Sequence, residues 1–522
     1  MKNLTFLNRV LVKSALMSAV LFPLNTNAQQ AGTLDSTFGN NGVVYCLPGY
    51  PSDVYPTSIM DAQHRMVTLY YPPDFSGLYL MRNLTNGSPD SSFGNHGQVI
   101  LNIGIPLYPG SLIEQDDSLL LICGLTEDSA SDLLVARFRQ DGSIDSTFGN
   151  QGLVILDLGQ DEGLIAMALQ PDRKILLTGA SGLNMNYDAV LLRLLPDGTP
   201  DSSFGSAGIT LTDLGNNPTY DLDQGMKITL QQDGRIVVLG YSATGGWGSV
   251  SRTAILRYEI NGALDTSFAN QGILIDSVSY TPDYRDIALQ DGGPILIAGQ
   301  EGDMFGVNKF ISLKQYTQDG LPDSSFADNG KYLFNGIYGG RYFNAVQIQP
   351  DYKILATGTW EDSLLLMRFT KNGRPDSTFG TSGLAINQLN YTYASGNKIY
   401  LDPNTTVYVL GTTGNYGDSL HVFISRYHND IISGFVHEMK EDIFDMRIHP
   451  NPATNQFTLT FADHILQAQI SLSDITGKLM VNTSVTEAQK IVINRQVFPD
   501  GVYVLRIQTP ARAAIRKLIV SK

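Results

Sequence analysis

The sequence has few of the residues that would define a disulfide-rich, zinc-binding or membrane-spanning protein. Among 522 residues there are only two cysteines, Cys46 and Cys123, which excludes a disulfide scaffold and a cysteine-based zinc site. Cys123 falls in the apolar run 119–124, so we expect a small buried side chain rather than half of a disulfide. No apolar run reaches the roughly 18 residues that a membrane-spanning helix needs.

Positive charge is also scarce, with 35 Lys and Arg against 50 Asp and Glu and a net charge of -15. Residues 1–28 hold three basic and no acidic residues, and residues 446–522 hold nine basic and four acidic ones. Subtraction leaves about -23 for residues 29–445. Because phosphate binding depends on clustered positive charge, we expect no nucleic-acid partner for this part of the chain.

The first 28 residues have the pattern of an export signal. Three basic residues precede a short apolar run at 15–22, and the small residues Thr26 and Ala28 suit a cleavage site. A membrane anchor is the alternative, but the apolar run is too short for it. We predict a signal peptide at 1–28 and a mature chain that begins near Gln29.

Glycine and aromatic residues are abundant, with 51 Gly, 25 Tyr and 22 Phe, while only 16% of residues are charged. This balance favours turn-rich β-sheet over long solvated helices, so the expected fold class is all-β.

A segment of the form Asp-Ser/Thr-Ser/Thr-Phe-Gly/Ala-x-x-Gly occurs seven times, at intervals of 53 to 64 residues. Such an interval fits four short strands with their turns. The leading Asp, the Phe and the closing Gly of the seven copies are Asp35, Phe38, Gly42; Asp90, Phe93, Gly97; Asp145, Phe148, Gly152; Asp201, Phe204, Gly208; Asp265, Phe268, Gly272; Asp323, Phe326, Gly330; and Asp376, Phe379, Gly383.

Each repeat contains four strand-length runs, which in the third repeat are 153–158, 164–170, 174–178 and 189–195. Continuous apolar stretches indicate sheets that are covered on both faces. Seven such sheets must stack, and a closed ring leaves no terminal face exposed, which predicts a seven-bladed β-propeller with one repeat per blade. An open β-solenoid is the alternative and would need distinct capping repeats.

The signature residues suggest architectural roles. We expect the Phe to wedge between neighbouring blades and the closing Gly to adopt a positive φ. The earlier glycine is replaced by Ala269 and Ala327 in two repeats, which predicts no need for a left-handed residue there. The recurring Asp residues favour turn capping over calcium binding, since they recur in every repeat.

These repeats resemble the delta-60 repeat family of bacterial β-propellers over about residues 33–430. The resemblance is carried by the sevenfold signature and by hairpins such as Asp233-Gly234-Arg235-Ile236-Val237. The family has no assigned activity to transfer.

The repeat pattern ends after residue 430. We predict a connector at 431–445 and a separate unit at 446–522. Strand-like runs and turn signals in this unit suggest a small Ig-like β-sandwich. The unit resembles the type A C-terminal sorting domain of the type IX secretion system of Bacteroidetes, and a purely structural sandwich is the alternative. The resemblance is carried by Pro450, Asn451 and Pro452, by Gly477 and Lys478, by Gly501 and Tyr503, and by Lys517. It implies the type IX machinery as a partner and a final location on the outer cell surface or outside the cell.

No catalytic constellation is readable, since the seven His residues lack metal-ligand spacing and no nucleophile elbow occurs. We expect no enzyme activity, cofactor or metal. Binding is expected on the face of the ring where the longer, variable connections emerge. The aromatic candidates there are Trp247, Trp360, Tyr55, Tyr220, Tyr280, Tyr284, Tyr338 and Tyr342.

The sequence therefore predicts a secreted, surface-attached propeller that binds a glycan or a protein. One alternative is a polysaccharide lyase or hydrolase with carboxylates near the central channel, and another is a structural or adhesive surface component. A further possibility for the aromatic residues is that they pack the stems of the loops.

Overall fold

The computed structural model contains only β-strands as regular elements in the part that it describes. No helix in that part is long and apolar enough to cross a membrane. The predicted signal peptide and the connector at 431–445 lie outside the described residues. These residues are 30–50, 56–71, 77–115, 119–127, 131–215, 221–244, 251–276, 280–290, 293–302, 309–335, 341–402, 406–415, 420–429, 446–451, 453–454, 456–474, 479–494, 501–508 and 513–520.

The propeller strands form seven antiparallel blades of four strands. The first strand, β1 (Val43–Tyr50), belongs to the last blade. Blade 1 contains β2 (Thr57–Met60), β3 (Met66–Tyr70), β4 (Leu78–Asn83) and β5 (Gln98–Leu101). Blade 2 contains β6 (Leu107–Glu114), β7 (Leu120–Thr126), β8 (Leu133–Phe138) and β9 (Leu153–Leu156). Blade 3 contains β10 (Asp161–Leu169), β11 (Ile175–Leu183), β12 (Asn186–Leu194) and β13 (Ile209–Thr212).

The other four blades follow in chain order. Blade 4 contains β14 (Asp221–Leu230), β15 (Ile236–Thr244), β16 (Ser251–Tyr258) and β17 (Ile273–Asp276). Blade 5 contains β18 (Tyr280–Leu289), β19 (Ile295–Gly302), β20 (Lys309–Tyr316) and β21 (Lys331–Asn335). Blade 6 contains β22 (Arg341–Ile348), β23 (Ile354–Trp360), β24 (Ser363–Phe369) and β25 (Leu384–Asn387). Blade 7 contains β26 (Tyr393–Leu401), β27 (Val407–Gly414), β28 (Leu420–Tyr427) and β1.

Blades and sequence repeats are out of phase by one strand, which corrects the expectation of one repeat per blade. The run that follows each closing glycine pairs with the last long strand of the preceding repeat, as β9 does with β8. Each blade therefore takes three strands from one repeat and its outermost strand from the next repeat. The last blade has no following repeat, so β1 from the start of the chain completes it.

The ring is closed, as predicted, by the pairing of the two ends of the propeller. Val43 faces Ser425 and Cys46 faces Val422 across β1 and β28. The buried apolar residues of the described part form seven clusters between blades, and one of them joins blade 7 to blade 1 through Cys46, Val422 and Met81. Seven blades in an open stack would have only six interfaces, so the closed propeller is confirmed over the solenoid.

A repeated Arg-Asp-Phe motif connects neighbouring blades. In blade 1, Arg82 Nε donates to Asp90 Oδ2 at 2.8 Å, the guanidinium lies 4.5 Å from the Phe93 ring centre, and Arg82 Nη1 donates to the Gln140 carbonyl of the next blade at 2.6 Å. The buried Phe93 ring packs against Gly142, also in the next blade. Charge-assisted hydrogen bonds of this kind are stronger than neutral ones. Arg137, Arg193 and Arg257 repeat the whole arrangement. Arg368 and Arg426 repeat the contacts with the aspartate and the ring.

The signature turns contain left-handed residues at more positions than expected. The seven closing glycines have φ between 90° and 99°. The earlier position is also left-handed in all seven repeats, including Ala269 at 43° and Ala327 at 44°, so the prediction that it has no such requirement was wrong. The turn geometry is set by the surrounding contacts, and the two alanines adopt it despite their Cβ atoms.

The C-terminal unit consists of β29 (Met446–His449), β30 (Gln456–Asp474), β31 (Leu479–Asn494), β32 (Gly501–Gln508) and β33 (Ala513–Val520). The long strand β30 pairs with β31 on one edge, and with β29 and then β32 on the other. Alternate side chains such as Phe457, Leu459 and Tyr503 form its core. The described strands make one continuous sheet, so the two-sheet sandwich stays a prediction.

We predict that a Val422→Cys variant forms a disulfide with Cys46 under oxidising conditions. Directly opposed residues of antiparallel strands have Cα atoms about 4.5–5.5 Å apart, within the range for disulfides. Non-reducing electrophoresis and peptide mapping will show the link. Ile424→Cys is the matched control, because residue 424 faces Val44 and should stay unlinked. A linked control or an unlinked Val422→Cys variant would contradict the closure.

Ala269→Gly should raise the stability of the propeller by about 1 kcal/mol, because it removes a Cβ from a left-handed residue. The opposite change at the equivalent position of the preceding repeat, Gly205→Ala, should lower stability by a similar or larger amount. Midpoints of urea unfolding will measure both. Equal effects of the two substitutions in the same direction would show that φ does not decide the result.

Candidate binding cleft and channel

The alternation of strand directions places two kinds of connection on each face of the ring. Connections between blades and those between the second and third strands of a blade emerge on one face, here called the loop face. The short hairpins after the first strand and the signature turns emerge on the opposite face, here called the turn face. The variable connections predicted to bind a ligand belong to the loop face.

The first strand of every blade lines a central channel with a cavity of 290 Å³. Three charged side chains from different blades enter this channel: Lys227 of β14, Asp286 of β18 and Lys398 of β26. Asp286 Oδ2 accepts the backbone N–H of Val346 at 2.9 Å. The channel thus carries two cations and one carboxylate.

Enclosure in the channel perturbs the pKa values of two of these groups. Burial and the nearby positive charge of Lys227 together lower the pKa of Lys398 to about 8, against the opposite effect of Asp286. Burial also raises the pKa of Asp286, against the effects of Lys227 and of the hydrogen bond from Val346. Lys398 is therefore closer to losing its proton at neutral pH than an ordinary lysine.

The channel opens on the loop face into a cleft of 700 Å³, which is lined by residues of blades 4 to 7 and of blade 1. Arg285 and Tyr342 form its most prominent wall, with the guanidinium 4.3 Å from the ring centre. The Tyr342 hydroxyl lies 3.4 Å from that of Tyr393. Asp283 fixes Arg285 through a hydrogen bond of 2.6 Å from Nη2 to Oδ2. The wall therefore combines flat aromatic surface with an oriented cation.

Three residues at the base of the cleft come from equivalent β-bulges. The pairing of β18, β22 and β26 with the next strand skips one residue each, namely Arg285, Asn344 and Asn397. Arg285 Nη1 donates to Asn344 Oδ1 at 2.9 Å, and Asn344 Nδ2 is 3.1 Å from Asn397 Oδ1. A bulge re-aims the extra side chain, and here three bulges direct a linked polar row around the channel mouth.

Only part of the predicted aromatic set is found at this site. Tyr342 lines the cleft. Tyr284 is 3% exposed, and its hydroxyl bonds Glu301 and Ser312, so it belongs to the core of blade 5. Trp360 packs on Phe334 at 5.0 Å between ring centres and does not line the cleft. The Tyr280 side chain, and all of Trp247, Tyr55, Tyr220 and Tyr338, lie outside the described residues.

Sequence reasoning missed the polar side chains of the inner strands, which supply most of the cleft. A comparison of repeats at the bulge position shows Arg285, Asn344 and Asn397 in blades 5 to 7, but Ile165 and Met226 in blades 3 and 4. The change from apolar to polar residues at one repeat position is the signal that marks the cleft side of the ring.

The signature aspartates are fully used by the fold. Asp376 Oδ1 accepts the Thr378 N–H and hydroxyl, while Oδ2 accepts Arg368 and pairs with Lys353 at 3.0 Å. Burial raises the pKa of Asp376, but these hydrogen bonds and charges outweigh burial and lower it to about 2. The arginine partner was missed, although it precedes the aspartate by eight residues in five repeats.

The two cysteines are buried and unpaired. In the C-terminal unit, Tyr503 is buried in the sheet core, and the Ala453 position bridges to Val520 of the last strand. Pro450, Asn451 and Gly501 lie in the described part, as does the backbone of Lys517 in β33. Pro452, Gly477 and Lys478 lie outside it.

Two protein-family models match the sequence. Residues 447–521 match the secretion system C-terminal sorting domain. Residues 115–148, 170–204 and 231–268 match a β-propeller domain of unknown function, DUF5122. Each of these three segments ends on the Phe of a signature, namely Phe148, Phe204 or Phe268, as expected of a repeat unit. A comparison with curated proteins gave no match.

Several solved structures are similar to this chain at low identity. Virginiamycin B lyase from Staphylococcus aureus is 14% identical with a TM-score of 0.42, covering 73% of this chain and 98% of its own. An ulvan lyase of polysaccharide lyase family PL25 is 10% identical with a TM-score of 0.38, covering 77% and 96%. The α-L-arabinanase of Penicillium chrysogenum is 10% identical with a TM-score of 0.38, covering 65% and 96%.

Likeness at this level carries no argument about activity. The family matches agree with the architecture, because the repeats fall in the ring and the sorting domain in the separate C-terminal sheet. The chain is therefore a β-propeller protein with repeats of the DUF5122 type and a C-terminal sorting domain of the type IX secretion system.

Proposed function

We propose that this exported propeller is a binding module whose loop-face cleft holds an anionic glycan at the cell surface. The sorting domain indicates export and a cell-surface or extracellular location. Glycans that carry carboxylate or sulfate groups are opposite in charge to the basic side chains that line the cleft.

The observation that carries the proposal is a local reversal of charge. The cleft and the channel below it are lined by the cations Arg285, Lys227 and Lys398. Two carboxylates oppose these three cations, Asp286 in the channel and Asp283, which pairs with Arg285. The surrounding residues 29–445 have a net charge of about -23. The positive charge at the cleft attracts an anion to it, and the acidic residues elsewhere on the surface disfavour binding of the anion at other places.

The uncharged lining also suits a sugar. Tyr342 and Tyr393 offer ring faces and hydroxyl groups, and Asn397, Thr412 and Asn415 offer donors and acceptors around the opening. Aromatic surface beside a few fixed polar groups is the usual composition of a small-molecule pocket. Because Arg285 is already held by Asp283 and Asn344, little side-chain freedom is lost when a ligand binds.

A second candidate function, glycan cleavage, is favoured by Lys398 and Asp286. A lysine with a lowered pKa can act as a general base, and its location at the bottom of the cleft would place it below a bound sugar. Measured turnover on an anionic polysaccharide that is lost in Lys398→Met would establish this function in place of simple binding.

Arg285→Ala and Lys227→Met are each expected to weaken binding of an anionic glycan at least tenfold, since hydrogen bonds to charged groups contribute about 1.5–3 kcal/mol. An array of sulfated and uronate-containing oligosaccharides selects the ligand, and calorimetry of the full mature chain measures affinity. Binding should also weaken as NaCl rises.

Arg374→Ala is the matched control, because Arg374 is exposed on the turn face and pairs only with Asp328 among the ion pairs of the described residues. Its affinity should equal that of the unchanged protein. Selective capture of neutral glycans or of a protein ligand, or self-association with no glycan binding, would overturn the proposal. Equal losses in the Arg374→Ala control would point to a general charge effect.

Lys227→Met should raise the pKa of Lys398, since it removes a like charge, and Asp286→Asn should lower it, since it removes an opposite one. The pH dependence of Lys398 acylation, followed by peptide mass spectrometry, measures both shifts. Lys227→Arg keeps the charge and should leave the profile unchanged. An unshifted profile in all three variants would mean that the channel charges do not interact.

A further inference from the structure

Two groups of three carboxylates lie between blades on the loop face, away from the cleft. One group is Asp132, Asp157 and Glu162, and the other is Asp188, Asp213 and Asp223. In each group, one oxygen of every residue lies within 4.8 Å of the others. Two oxygens on opposite sides of a Ca²⁺ ion are about 5 Å apart, so the spacing fits a shared cation.

The two groups occupy equivalent repeat positions at consecutive blade interfaces. Asp132 and Asp188 lie five residues before the motif arginines Arg137 and Arg193, at the start of the third strand. Asp157 and Asp213 each begin an Asp-Leu-Gly turn after the fourth strand and accept the glycine N–H. Glu162 and Asp223 share a register position on the next inner strand.

The fold does not require acids at these positions. The equivalent residues between blades 1 and 2 are Gly77, Asn102 and Leu107. Those between blades 6 and 7 are Ser363, Gln388 and Ala394. The clustering of three carboxylates at two neighbouring interfaces is therefore a property of this region and not of the repeat.

The deepest carboxylate of each group has an oxygen with no partner. Glu162 is 4% exposed and its Oε2 accepts no hydrogen bond, and Asp223 is fully buried and its Oδ1 accepts none. The other oxygen of Asp223 already accepts the N–H groups of Leu214 and Gly215. An unpaired buried carboxylate oxygen is costly, and a bound cation would satisfy it.

The protein supplies its own cations where acids are buried at the next interface. Between blades 4 and 5, Lys314 pairs with Asp276 and with Glu301 at 2.8 Å, and Lys331 pairs with Glu301 at 3.1 Å. Within the described part of the chain, no Lys or Arg pairs in this way with Glu162 or Asp223. Burial and the neighbouring acids instead raise the pKa of Glu162 to about 7 and that of Asp223 to about 6.

From these observations we infer that each acidic triad is a Ca²⁺ site that links three chain segments of two adjacent blades. The ligands are all carboxylates, without thiol or imidazole, which favours a hard cation over zinc. Ca²⁺ accepts irregular oxygen coordination, whereas Mg²⁺ demands octahedral geometry, so the loop-built sites favour Ca²⁺. At the second site the ion would reinforce the short parallel pairing of β12 with β14.

The stoichiometry of Ca²⁺ binding tests the inference directly. Calorimetry on the full mature chain, stripped with EDTA, should give two sites per chain. Glu162→Gln and Asp223→Asn should each leave one site, and the double variant should leave none. Glu301→Gln is the matched control, because Glu301 is a buried carboxylate that lysines already neutralise, and it should leave both sites intact.

Thermal unfolding separates a cation site from a purely structural role. Ca²⁺ should raise the unfolding temperature of the unchanged protein and not that of the double variant. In EDTA the double variant should be at least as stable as the unchanged protein, because it lacks the unpaired buried charges. Binding of Ca²⁺ that persists in the double variant, an absence of binding at 10 mM Ca²⁺, or equal affinity for Mg²⁺ would overturn the inference.

Discussion

Every blade of this protein is apolar on both faces, and the need to cover both faces dictates the architecture. The second and third strands, such as β7 and β8, are buried along nearly their whole length. A single sheet of this kind cannot bury its two apolar faces by itself. An open row of sheets would leave one apolar face of the first sheet and one of the last sheet exposed to water. The circle removes the ends, and β1 joins the two termini of the ring into its last blade. Closure of the blades into a ring also creates the central channel, the loop face and the turn face.

Apolar burial is not directional, so it does not by itself fix how one blade sits on the next. The Arg-Asp-Phe motif supplies direction, since Arg82, Arg137, Arg193 and Arg257 each donate to a carbonyl of the following blade while they stack on a buried ring. Blade 5 departs from this rule, with Gln315 in the arginine position and Pro294 where blades 1, 3, 4 and 6 have Lys or Arg. The two cations are lost together, and Lys314 and Lys331 of this blade pair with Asp276 and Glu301 on the side that faces blade 4. Blade 5 also begins the polar row of the cleft, at Arg285.

The sequence allowed the closed propeller and the sorting domain to be predicted, because seven signatures and an ordered C-terminal motif are strong signals. The sequence did not predict which strands of each repeat belong to the same blade. The repeat length gives the spacing between blades but not the residue at which each blade begins. The needed clue was the spacing of eight residues from arginine to aspartate. Arg426 has no aspartate eight residues later, and its partner is Asp35 at the other end of the ring.

The cleft was harder to predict for two physical reasons. Its residues come from parts of the chain as distant as Thr57 and Asn415, and ring closure alone brings them together. The bulge in each inner strand also shifts the alternation of side chains by one residue, so Tyr284 points into the core while Arg285 reaches the channel mouth. The alternation of inward and outward side chains in a single strand does not show where a bulge occurs. An alignment of the repeats does show it.

Basic and acidic side chains lie on different sides of the loop face. This distribution reflects which repeat positions can be substituted without loss of the fold. The motif residues and strand cores are shared by nearly all blades, so substitutions there would damage two interfaces at once. Positions at the loop-face ends of the strands touch fewer neighbours, and these are the positions where blades differ. Blades 5 to 7 have Arg285 and amides around the channel mouth, whereas the interfaces between blades 2 and 3 and between blades 3 and 4 each have a group of three carboxylates. A cation at the acidic side would hold the adjoining connections in place while the opposite side stays open to an anionic ligand. Stability and recognition thus occupy opposite sides of one ring, each built from the same few repeat positions.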